Sequence, residues 1–78
     1  MGEHTQIGMQ VLSKMMEMRF SANTIDTAVF IMRYHSDRLW IAQRMLDVLN
    51  STNITEKKFW RYLQDDVLTV DERLQSML

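Results

Sequence analysis

At 78 residues the chain has the length of one domain, and its 46% hydrophobic content argues against intrinsic disorder. It has no cysteine, which excludes disulfides, thiolate metal ligation and thiol catalysis. Nine Lys and Arg against ten Asp and Glu leave a net charge of −1, so no global field draws in nucleic acid or acidic lipid.

The opening residues, Met1-Gly2-Glu3-His4-Thr5-Gln6, lack the basic and apolar regions of a secretion signal, and Gln6 departs from the myristoylation pattern. Apolar runs are far short of the roughly 20 residues that span a bilayer. The expectation is a cytoplasmic protein with no membrane contact. The sequons at Asn50 and Asn53 then read as turn chemistry. With no proline, and both glycines near the N-terminus, helix breaks must come from Ser, Thr, Asn and Asp.

The first predicted helix covers about 5–19. Ile7, Val11, Met15 and Met18 share one stripe, which Met9, Leu12, Met16 and Phe20 widen past half the circumference. Such a helix needs two neighbours, or one neighbour and another chain. The stretch 24–50 is long for one helix, and its apolar phase rotates partway. Ile25, Ala28, Val29 and Met32 share a face in the first half, and Leu39, Ile41, Ala42, Met45, Leu46, Val48 and Leu49 in the second. Two helices, 24–35 and 37–50, are predicted, with Ser36 capping the second, and one long helix whose partners change along its length is the alternative.

Thr55 reads as the next N-cap, with Ile54 and Phe59 spaced as a hydrophobic staple. The fourth helix is predicted over 56–65, ending there because Asp66 falls on its apolar side. Thr69 to Glu72 forms a capping box before a fifth helix at 70–77. No strand-like alternation occurs. The fold expected is therefore an all-α bundle of four to five amphipathic helices, its core supplied by the first, third and fourth.

Chemistry-bearing patterns are absent from the sequence. His35 and His4 have no metal-ligand spacing, and His35 reads as a buried, hydrogen-bonded core residue. The adjacent pairs Asp65-Asp66 and Asp71-Glu72 diverge on a helix and suit capping better than general acid–base work. With no phosphate loop, cofactor motif or nucleophile elbow, no enzyme is expected and no cofactor or metal is assigned. Three features point to partners. Met15, Met16 and Met18, with Phe20, lie in the over-wide arc of the first helix, and adaptable thioethers recur at helix-binding surfaces. Trp40 projects with Arg44 from the polar side of the third helix, and both residue types are enriched at interface hot spots. Lys57, Lys58 and Arg61 cluster on the fourth helix, near Trp60 and Tyr62. The function expected is a non-catalytic protein-interaction module, homo-oligomeric or adaptor-like, using Met15, Met16, Met18, Phe20, Trp40 and Arg44. The alternative is a small DNA-binding regulator that uses a helix-turn-helix-like segment, 46–63, with Lys57, Lys58 and Arg61 on the duplex.

Overall fold

The computed structural model describes residues 2–68, which form four α-helices and no strand: α1 (Glu3–Glu17), α2 (Ala22–Tyr34), α3 (Arg38–Leu49) and α4 (Glu56–Leu68). The fifth helix expected at 70–77 lies outside the described residues.

Short polar side chains set most of the boundaries. At the end of α1, Arg19 adopts a left-handed φ of 61°. Its N–H donates to the Met16 carbonyl and that of Phe20 to the Met15 carbonyl, both at 3.0 Å. This is the Schellman closure, here with arginine where glycine is usual. Ser21 then caps α2, accepting from the Thr24 N–H at 3.2 Å. The rotation of apolar phase between positions 24 and 50 is a true break, and α2 and α3 are separate helices. The cap of α3 is Asp37 rather than Ser36, its Oδ1 accepting from the Trp40 N–H at 3.0 Å. Thr55 caps α4 through the Lys58 N–H at 3.1 Å, and Ile54 packs on the same core as Phe59.

Two expectations about α4 and α3 are corrected. α4 does not stop near Asp65; it runs through Asp66 to Leu68. Asp66 can occupy the inner flank because Arg44 of α3 donates to its Oδ2 from 3.0 Å. Leu39 is not on the inward stripe of α3 but exposed; that stripe is Ile41, Ala42, Met45, Val48 and Leu49.

All four helices build the core, α2 included. Val11 and Met15 come from α1, Ala28 and Ile31 from α2, Ile41, Met45, Val48 and Leu49 from α3, and Phe59, Leu63 and Val67 from α4. The inner face of α2 is centred on Thr24, Ala28, Ile31 and His35, not on Ile25, Val29 and Met32, which are half-buried. Burying each large apolar side chain contributes about 1.5–3 kcal/mol. α1 packs most extensively on α3 and also contacts α2, so its wide apolar arc finds its two neighbours within the chain. Met9 and Met16 are what remains exposed of that arc. The Cα radius of gyration, 11.5 Å, is close to the roughly 11 Å expected of a compact chain of this length.

Candidate functional site

The corner between α2 and α3 is built by three consecutive polar links. His35 ends α2 in an extended conformation, its N–H donating to the Ile31 carbonyl at 2.9 Å. Its Nδ1 accepts from the Asp37 N–H at 2.8 Å, and Asp37 in turn receives the Trp40 N–H. With Nδ1 an acceptor, the neutral ring carries its proton on Nε2. That Nε2 is buried and has no hydrogen-bond partner among the described residues. His35 is thus a core histidine, as its surroundings in the sequence imply, and His4 lies in the first turn of α1.

Trp40 stands over this corner. Its ring centroid is 5.9 Å from that of His35, the planes tilted by 32°, and 45% of the residue remains exposed. A backbone fixed by the Asp37 cap and a ring backed by a buried imidazole hold the indole at the surface. Tyr34 and Leu39 are also exposed, and Tyr34 leans on Phe30 with centroids 4.7 Å apart. Three large apolar side chains therefore reach solvent within positions 34–40. Periodicity identified Trp40 but not Leu39, because the phase of a short helix does not say which edge of a wide apolar arc meets its neighbours.

The other residues expected at an interface separate into different roles. Met15 is fully buried in the core and does not face a partner. Met18 and Phe20 are half-buried against that core, with Phe20 edge-on to Phe59 at 5.9 Å. These three fill the domain's interior and its margin. Met16 is 61% exposed. Arg44 is only partly exposed, and its guanidinium is committed to Asp66. Met16 and Trp40 do not form one patch. His4 and Arg38 line one groove beside α1, and Lys14, Glu17 and Asn50 line another, so α1 and α3 run the same way. Met16, near the end of α1, and Trp40, near the start of α3, therefore sit toward opposite ends of the domain.

Of the basic residues on α4, Lys57 and Arg61 are exposed one turn apart, whereas Lys58 is half-buried with its ammonium 3.4 Å from the Asn53 carbonyl. Trp60 does not join them; its indole N–H donates to Thr24 of α2. Tyr62 is exposed. Among the described residues no cluster of three or more His, Asp or Glu side chains is arranged to hold a metal ion, and no helix is long and apolar enough to cross a membrane.

Comparison with protein families, with curated proteins and with solved structures finds no match to this chain.

Proposed function

We propose that this domain is a non-catalytic protein-interaction module, a self-associating or adaptor domain of the cytoplasm, with Trp40 as the anchor of its contact surface. The observation that carries the reading is the half-exposed indole of Trp40, fixed through its backbone by Asp37 and backed by buried His35. Interface hot spots are enriched in tryptophan, and an aromatic already held in one position loses little conformational freedom on binding. Leu39 and Tyr34 extend the apolar surface at the same corner. Met16 belongs to a separate exposed point on α1, and Arg44 acts through its pair with Asp66 rather than as a free anchor.

The test is sedimentation of the wild-type chain over a range of concentrations, together with cross-linked capture from host lysate, each repeated with Trp40→Ala. The variant is expected to keep the circular dichroism and melting curve of wild type and to weaken association by about 2 kcal/mol or more. A wild-type chain that stays monomeric at every concentration and captures nothing that Trp40→Ala loses would defeat the reading.

The exposure of Lys57 and Arg61 favours one second reading, contact between α4 and a nucleic-acid backbone. It has less support, because Lys58 is turned toward the Asn53 carbonyl and the chain is net acidic. Replacing Lys57, Lys58 and Arg61 with Gln is then expected to abolish a salt-sensitive affinity for duplex DNA. Failure of the wild type to bind any duplex at low salt removes this alternative.

A further inference from the structure

At its N-terminal end α1 leaves a groove against α2 and the start of α3, with a volume of about 280 Å³. Leu12, Val29 and Met32 give it an apolar floor. Around that floor stand His4 of α1, Arg33 in the last turn of α2 and Arg38, the first residue of α3. No described acidic side chain lines the groove. Arg33 and Arg38 are exposed, and neither guanidinium has a hydrogen-bond or ion-pair partner among the described residues.

Two arginines from different helices thus flank one apolar trough without a counter-charge. Arg33 suits its place, since the C-terminal end of a helix favours a cation. Arg38 does not. It occupies the N-terminal end of α3, where the helix dipole disfavours positive charge, and the neighbouring Asp37 carboxylate is turned to the Trp40 N–H.

We propose that this groove binds an acidic amphipathic helix of a protein partner. An apolar side chain of that helix fills the floor, and a carboxylate one turn away is taken by Arg33 and Arg38, whose planar forks match carboxylate geometry. An open trough between two helices is the usual seat for a helix presenting anchors at such spacing. The apolar floor separates this ligand from a nucleic-acid backbone, which brings charge but no apolar ridge to the contact. The inference rests on the interaction-module reading but uses another face of α3, because Arg38 and Trp40 lie about 200° apart around the helix.

Panning a displayed library of helical peptides against the full chain, in parallel with the double variant Arg33→Glu/Arg38→Glu, tests it. The retained sequences are expected to pair Asp or Glu with a large apolar residue one turn away. Wild type should retain them at least tenfold over the double variant, and Trp40→Ala should retain them as wild type does. Amide shifts on binding should map to Gly8, Leu12 and Val29. Should the charge reversal unfold the chain by circular dichroism, Arg33→Gln/Arg38→Gln takes its place. The proposal is overturned by a pool without acidic enrichment, by equal retention on the double variant, or by no retained pool at all. Loss of duplex DNA binding in the double variant, with no peptide retained, would assign the arginines to phosphate and also overturn it. Failure of the Trp40 reading shows separately, as unchanged sedimentation and capture in Trp40→Ala while peptide retention persists.

Discussion

The indole N–H of Trp60 on α4 donates to the hydroxyl of Thr24 on α2, 3.1 Å away and 36 positions earlier in the chain. The same Thr24 also helps hold the carboxylate of Glu56, the first residue of α4, in its charged form. One oxygen of the same carboxylate accepts the N–H and the hydroxyl of Ser21, each at 2.7 Å. The first turns of α2 and α4 are therefore clipped together by one charge, placed where two helix N-termini favour it.

This clip has a pH signature. The hydrogen bond from Thr24, then those from the Ser21 hydroxyl and N–H, hold the Glu56 carboxyl below its ordinary value of 4.5. A depressed folded-state value means the stabilisation is fully present above the ordinary value and is lost as pH falls through the lowered one. Glu56→Gln is expected to lower the melting temperature at neutral pH and to flatten the acid limb of its pH dependence. A variant whose melting temperature declines with acid as steeply as that of wild type would contradict this.

Thr24 serves both partners at once, so its removal exceeds the loss of one exposed bond. Thr24→Val keeps the shape but leaves the partly buried Trp60 N–H without its acceptor, a change expected to cost about 1–3 kcal/mol. Urea unfolding followed by tryptophan fluorescence reads it. A midpoint within error of wild type would mean that water replaces the hydroxyl.

The methionine run separates into core and surface at adjacent positions. Met15 is fully buried and Met16 is 61% exposed. Met15→Ala is expected to lose about 2–5 kcal/mol through the cavity it leaves, enough to unfold much of a domain this small. Met16→Ala is expected to stay within about 0.5 kcal/mol of wild type. Equal midpoints for the two variants in chemical denaturation would refute the burial pattern.

How far the sequence foretold this arrangement depended on the range of the interaction. Caps and breaks act over three or four residues, so the separation of α2 from α3 and the Thr55 cap were legible. The cap at Asp37 rather than Ser36 is an error of one position between two competent residues. Asp66 was misread for a different reason. A charge on an apolar flank looks like the end of a helix until Arg44, 22 positions away on another element, is known to meet it. Thr24, at the start of the predicted second helix, gives no local sign of its burial, because Trp60, 36 positions away, is what covers it. Of the candidate surface, Trp40 was visible as an aromatic off phase. Met15, Met18 and Phe20 were not separable from Met16, because an apolar arc wider than half a helix does not say which part its neighbours cover. The groove flanked by Arg33 and Arg38 joins residues of three helices, and no single-helix pattern contains it.

The Arg44–Asp66 pair is conspicuous, yet it is expected to be weak. Its side chains are 41% and 23% exposed, and water screens such contacts. A double-mutant cycle with Arg44→Gln and Asp66→Asn should give a coupling of about 1 kcal/mol or less, falling with added salt. A coupling several times larger would make the pair a main clamp between α3 and α4.

The end of α1 offers a stabilising change. Arg19 sits at φ 61°, the position at which the Schellman closure normally carries glycine. An L side chain there crowds its own carbonyl, and glycine removes that contact while giving up some entropy in the unfolded chain. Taking the left-handed cost as about 1–2 kcal/mol and the glycine entropy as about 0.5–1, Arg19→Gly should gain up to about 1.5 kcal/mol, with about 0.75 as the central value. Both closing bonds, from Arg19 to Met16 and from Phe20 to Met15, are backbone to backbone and survive the substitution. Arg19 is exposed, so little packing is lost with its side chain. Urea unfolding should show a higher midpoint with an unchanged slope. A lower midpoint would mean that the arginine stem contributes more by covering the margin of the core than its backbone conformation costs.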